Sequence, residues 1–393
     1  MKKTKWLAAS MVAALALALV MGCSSEDDDG PELPGVVEKD GWLMYGSTVR
    51  QYRGSDETVT TPSGATIIGR HAFEGTGVKE VTIGEGVTVI ESRAFSGCES
   101  LASVTIAASV KSIEDEAFYG CTSLESVTIG DGVENIGSSA FYNCSKLAEV
   151  TIPGSVKSIE DEAFYQCTSL ESVTIGDGVK SIGYEAFSGC TSLESVTIAG
   201  SVKSIEDEAF YGCTSLASVT IGDGVKSIGW GAFYVCTSLA SVEIPGSVKS
   251  IGDCAFYRCT SLASVTIPAS VESIGGSAFE DCTSLAEVTI PGSVKSIGDE
   301  AFSGCESLES VEIPDGVESI GERTFYQCKS LESVTIPASV KSIGYEAFYW
   351  YDSLKEVKYG GTAEQWEKID IGSDAFYSTA KIYDKDGKEI SRS

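Results

Sequence analysis

Cysteine is the first residue type in this chain whose spacing suggests chemistry. It stands at 98, 121, 144, 167, 190, 213, 236, 259, 282, 305 and 328, each 23 residues after the last. Thiols at such a period could pair as disulfides or hold metal, but no C-x-x-C pair offers a zinc site. In a ladder of stacked units each thiol meets identical neighbours, and parallel side-chain directions do not favour disulfide geometry. The expectation is therefore a column of buried, reduced thiols acting as small apolar core residues. Cys254 lies off that column and should be more exposed. The one histidine, His71, occupies a position that elsewhere holds mostly Glu or Ser, and it reads as a surface residue. The many Ser, Asp and Glu side chains have no matched base, so triad chemistry has nothing to work on. The Gly-Asp-Gly turns at 130, 176 and 222 each supply one carboxylate, whereas calcium takes six to eight oxygens. The reading is a non-enzyme with no cofactor and no metal.

Aromatic residues point instead to binding. Tyr119, Tyr142, Tyr165, Tyr211, Tyr234, Tyr257, Tyr326 and Tyr349 form a column directly after the repeated phenylalanine. Three residues before that phenylalanine, a mostly polar column is broken by Tyr184, Trp230 and Tyr345. Tyr and Trp offer large contact area with a polar handle, so these three, with Tyr211, Tyr234 and Tyr257, are the candidate ligand contacts. Packing along the outer surface is the alternative for both groups. Small polar columns beginning at Ser103 and Thr105 provide a second, flatter face.

The elements that must position these residues follow from the repeat. Counted from Leu101, the unit is L-x-x-V-x-I-x-x-x-V-x-x-I-x-x-x-A-F-x-x-C-x-x. Fidelity at this period marks a solenoid, in which each unit covers its neighbour's apolar face. Leu101 to Ile106 has the alternation of a strand with one buried face. A turn of Pro, Gly, Ala or Asp follows, then a second extended piece at Val110 to Ile113. Glu114 to Ser123, with Ala117 and Phe118, reads as a tight turn or one turn of 3-10 helix. The turns alternate between Ala107-Ala-Ser or Pro153-Gly-Ser and Gly130-Asp-Gly, a 46-residue pairing that is lost after Gly222. The fold class is mostly β, a solenoid of stacked 23-residue units with short irregular segments on one side.

The order and spacing of Cys121-x-x-Leu124-x-x-Val127-x-Ile129 and Val133-x-x-Ile136-x-x-x-Ala140-Phe141 resemble the BspA-like leucine-rich repeats of bacterial surface proteins. The resemblance covers about Val59 to Tyr383. Cysteine here precedes the leucine by three, unlike the commoner leucine-rich repeat with Asn or Cys after the strand and a helix behind. It therefore implies a flatter, mostly β solenoid, not a helix-backed horseshoe. It also implies adhesion to host matrix proteins or other cells.

The ends differ from the array. Residues 1–22 read as a signal peptide: Lys2, Lys3 and Lys5 precede an apolar run too short for a comfortable membrane span. Val20-Met21-Gly22-Cys23 resembles a bacterial lipoprotein box, making Cys23 the lipid attachment site. Residues 23–35 form an acidic, Pro-containing tether, and Ser24 to Asp29 resembles a signal for export to the outer face of the outer membrane. Residues 36–73 are an N-terminal cap with the first partial repeat, including a hairpin or two strands around Gly46. The array runs over 74–359, and 360–393 is a C-terminal cap with a short helix started by Thr362 and Gln365. A formal charge of -29 argues against nucleic acid, which needs a cationic footprint. The expectation is a monomeric, lipid-anchored outer-membrane protein, exposed on the cell surface, that binds a protein or a cell-surface glycan. A passive envelope spacer and a glycan-capturing protein are the alternatives.

Overall fold

The computed structural model describes residues 35–349, 353–376 and 380–391. The array is a β-solenoid in which each 23-residue rung contributes one longer strand, one two-residue strand and a turn segment. Strands one repeat apart pair in parallel and in register. Ser126–Ile129, for example, lies against Ser103–Ile106 with Val127 opposite Val104 and Ile129 opposite Ile106. Register is held because the burial alternation of Ser-Val-Thr-Ile has period two, and a one-residue slip would turn both aliphatic residues outward.

The second strand is shorter than its sequence pattern suggests, Ser112–Ile113 and not Val110 to Ile113. The Val110 amide is used to close the preceding turn onto the Ala107 carbonyl at 3.2 Å. The two-residue strands form a continuous sheet of 17 strands with the N-terminal strands included. The longer strands form two sheets, of 11 and 5 strands. The break falls between Glu287–Thr289 and Ser310–Glu312, where Val288 is only half-buried.

The third side of each rung is built from tight turns and no 3-10 helix. Amides of Ala117, Tyr119 and Cys121 donate three residues back, while those of Glu116, Phe118 and Gly120 donate to Ser138, Ala140 and Tyr142 of the next rung. Closing so tight a path takes two left-handed residues per rung, such as Glu116 (φ 56°) and Gly120 (φ 69°). The second is glycine in some rungs but Val235 (φ 57°) in one, where a β-branched side chain is strained.

Inside, every column stacks. Phenylalanine rings from Phe73 to Phe348 lie 4.3–5.4 Å apart, centroid to centroid. Each column thiol donates to the carbonyl of the phenylalanine in the preceding rung, as Cys121 does to Phe95 at 3.2 Å. All eleven are buried free thiols, and Cys254 is a half-buried one.

In the early array the turn alternation has a packing counterpart. A Cβ on Gly178 would lie 1.9 Å from the Gly154 carbonyl oxygen, so the backbone path taken there over Pro153-Gly154-Ser155 admits only glycine, whereas Ser270 follows Pro245-Gly246-Ser247 later in the chain. Ser155 in turn donates to the Val133 carbonyl at 2.6 Å.

The ends close differently. Val36–Lys39, Trp42–Tyr45 and Thr48–Tyr52 form an antiparallel group with one strand more than the hairpin expected there. Thr48–Tyr52 continues in parallel onto Ile67–Ile68, and Trp42 and Tyr52 lie against Phe73. At the other end a helix, Ala363–Trp366, carries the Thr362/Gln365 capping box. It seats Trp366 against Tyr359 and Phe376. Lys381–Tyr383 extends the longer-strand ladder and pairs antiparallel with Glu389–Ile390.

Candidate binding surface

The turn side of the central rungs gathers most of the aromatic residues singled out above. Tyr211, Tyr234 and Tyr257 stack in successive rungs with centroids 4.9 and 4.5 Å apart. Trp230 lies beside this run, 6.3 Å from Tyr234 and inclined by 25°. The Arg258 guanidinium sits over Tyr257 at 5.2 Å and pairs with Asp281 at 3.1 Å. Burial raises the Tyr234 and Tyr257 phenols above their ordinary value, with neighbouring phenols and Glu280 adding to the shift. These hydroxyls are therefore neutral donors at physiological pH. Trp230 is 42% exposed and Tyr211 37%, large values for aromatic rings already stacked on neighbours.

What holds Trp230 is a carboxylate from the rung before. Asp207 accepts from the Trp230 amide at 2.7 Å, and Asp161 accepts from the Tyr184 amide at 2.9 Å. Glycine precedes each aromatic residue because a Cβ on Gly229 or Gly183 would meet that carboxylate at 2.6 or 2.7 Å. The exposed aromatics thus stand on a backbone fixed by sheet, turn and side chain together. Backbone held this way has little conformational entropy left to lose when a partner is met.

Tyr184 is 38% exposed but lacks a ring beneath it, because Ser188 takes the place that Tyr234 has beside Trp230. Its hydroxyl reaches Glu208 at 3.4 Å. Hydrogen bonding to Glu185 and then burial push its phenol well up. Tyr345 is not brought to this group. It is half-buried, donates to Glu346 at 2.6 Å, and lies under Arg323 at 5.4 Å in a separate cluster near the C-terminal end. A second tyrosine run, Tyr119, Tyr142 and Tyr165, stacks at 4.7 Å without a tryptophan. Cys23 lies outside the described residues.

Sequence reading missed the carboxylate clamps and the two arginines over rings. The clamps had a signal: Asp115, Asp161, Asp207 and Asp253 alternate with Ser138, Tyr184, Trp230 and Gly276 in one column. His71 differs from its expectation. It is half-buried in the left-handed turn position (φ 56°), with Nδ1 3.0 Å from the Glu74 carboxylate three residues on. The turn folds the imidazole onto its own rung. Among the described residues no group of three or more His, Cys, Asp or Glu side chains could hold a metal ion.

The model of the BspA-type leucine-rich repeat region matches residues 51–171, 157–286 and 274–386, almost the whole described chain. The chain belongs to this family. Among solved structures, this BspA-type chain is similar to a leucine-rich repeat protein from Bacteroides ovatus, at 30% identity and a TM-score of 0.66. That match covers 91% of this chain and 100% of the other. A leucine-rich cell surface protein from Faecalibacterium prausnitzii is 31% identical over 88% of this chain and 99% of its own, with a TM-score of 0.48. The pneumococcal vaccine antigen PcpA shares the fold at 24% identity and a TM-score of 0.53, covering 89% of this chain and 93% of its own. No curated protein matches it significantly.

Proposed function

We propose that this BspA-type protein is a surface-displayed, lipid-anchored adhesin-like binder that engages a protein partner through the turn side of its central rungs. The observation that carries this is Trp230, widely exposed on a backbone amide held by Asp207 and flanked by the Tyr211–Tyr234–Tyr257 run. Exposed aromatic clusters are where binding energy concentrates in protein interfaces. Tyr184, two rungs earlier, is a second contact on the same side. Display rests on the sequence before the array: the basic start and apolar run of residues 1–22, lipidation at Cys23, and the acidic tether to residue 35. Residues 36–73 and 360–393 then serve as caps on an array over 74–359.

The test is a binding screen of the purified chain against immobilised extracellular-matrix proteins and neutral glycans, repeated with Trp230→Ala and Tyr184→Ala. Trp230→Ala should weaken a matrix-protein interaction by about thirtyfold, the size of a hot-spot loss of about 2 kcal/mol. Tyr45→Ala, another exposed ring remote in sequence, should change nothing. Binding that ignores both Trp230 and Tyr184 would remove this site. Glycan binding lost with Trp230 would favour the glycan-capturing reading, since a flat exposed indole also stacks on sugars.

A further inference from the structure

On another side of the same rungs the first residue after the turn valine forms a charge column: Lys111, Glu134, Lys157, Lys180, Lys203, Lys226, Lys249, Glu272, Lys295, Glu318, Lys341. Toward both ends the signs alternate and neighbours pair, Lys111 with Glu134 at 3.9 Å and Lys341 with Glu318 at 2.6 Å. In the middle, five lysines follow one another without interruption. Their backbones are tied in register, with each amide from Lys180 to Lys249 donating to the carbonyl of the preceding lysine at 2.7–2.8 Å. All five are exposed, and none takes part in an ion pair among the described residues. The carboxylates three residues along, Glu160 and Glu206, accept from Ser158 and Ser204 at 2.6 Å.

Like charges set directly opposite in a ladder destabilise it, and the alternating ends show that this fold accommodates the neutral arrangement. A row of five ammonium groups at one rung spacing, about 19 Å long, is also out of keeping with a chain of net charge -29. Its one-dimensional form selects the ligand. A duplex carries a phosphate charge for about each 1.7 Å of axis and is broad enough to meet the surrounding carboxylates, whereas the row is a single side chain wide. A thin, extended sugar chain bearing carboxylates or sulfates advances by a comparable length per residue and can lie along it. Half-exposed hydroxyls of Ser181, Ser227 and Ser250 border the row and suit sugar hydroxyls. We propose that Lys157, Lys180, Lys203, Lys226 and Lys249 bind a linear anionic polysaccharide lengthwise, independently of the aromatic surface.

The experiment measures binding of the purified chain to heparin (sulfated), hyaluronan (carboxylate only), dextran (neutral) and duplex DNA across a salt series. Heparin or hyaluronan should bind, dextran should not, and which anion binds identifies the charged group. The triple variant Lys180→Gln, Lys203→Gln, Lys226→Gln should weaken binding at least about tenfold near 0.1 M salt and make the remaining binding less salt-dependent. The corresponding triple arginine variant should retain binding, and Lys341→Gln and Trp230→Ala should leave it unchanged. Failure of both anions to bind, indifference to the triple glutamine variant in a chain with unaltered melting, or equal binding of DNA through the same lysines would overturn the proposal.

Discussion

The central rungs, from about Lys157 to Tyr257, and the C-terminal rungs, from about Glu287 to Tyr349, have the same interior and different exteriors. Phenylalanine rings stack at 5.2–5.4 Å in both, and the column thiols make the same bond to a phenylalanine carbonyl. Outside, the central tyrosines stack at 4.5–4.9 Å beside Trp230 and the lysine row is unbroken. In the C-terminal rungs Tyr326 and Tyr349 stand 6.4 Å apart, charges pair across rungs, and the longer-strand ladder is interrupted. Interior columns must match because each side chain packs on its own copy. Exterior columns carry no such constraint, and both proposed binding surfaces lie there.

The comparison can be broken from the inside first. Phe233→Ala and Phe302→Ala should each destabilise by about 3–5 kcal/mol in denaturant titration, since both rings are fully buried in equivalent stacks. A gap above about 1 kcal/mol between them would mean that the ladder interruption near Phe302 loosens the core as well.

Alkali tests whether the thiol column behaves as one body. Burial pushes the Cys167, Cys213 and Cys328 thiols up to about 12, from an ordinary value near 9. Raised folded values mean that their contribution to stability is complete below pH 9 and is lost as pH rises from 9 toward 12. Each such thiol adds about 1.4 kcal/mol per pH unit to the fall. A melting series should therefore drop steeply above pH 9. Before that point native alkylation should label Cys254 and spare the column. Labelling confined to Cys305 and Cys328 would show the C-terminal rungs opening alone.

The smallest effect sharpens the comparison at one turn position. Val235 in the central rungs and Gly304 in the C-terminal rungs both have left-handed backbone. Val235→Gly should stabilise by about 1 kcal/mol, because relief of left-handed strain outweighs the added freedom of the unfolded chain. An unchanged melting curve would mean that the Val235 side chain compensates through contacts of its own.

Much of this was legible from spacing. Val104, Ile106, Phe118, Cys121 and Leu124 mark buried columns because a solenoid repeats one environment at one period. Tyr184 and Trp230 were visible as departures from a polar column. The clamping of their amides by Asp161 and Asp207 was not, because those partners are a whole repeat away and meet only when rungs stack. Tyr345 shows the converse: its residue type matched Trp230, but Arg323 of the preceding rung and its own chain neighbour Glu346 enclose it. The lysine row stands in the sequence at the same 23-residue step, but that its five side chains stay exposed and unpaired is decided by the stacking of the rungs.

The sequence by itself determined the repeat, the strand faces, the family and the identity of the core columns, because periodicity translates directly into which residues share an environment. Tertiary structure alone decided which aromatics remain exposed, which of the aligned charges stay unpaired, and where the longer-strand sheet is interrupted. Those properties depend on contacts between neighbouring rungs, and a single rung does not contain them.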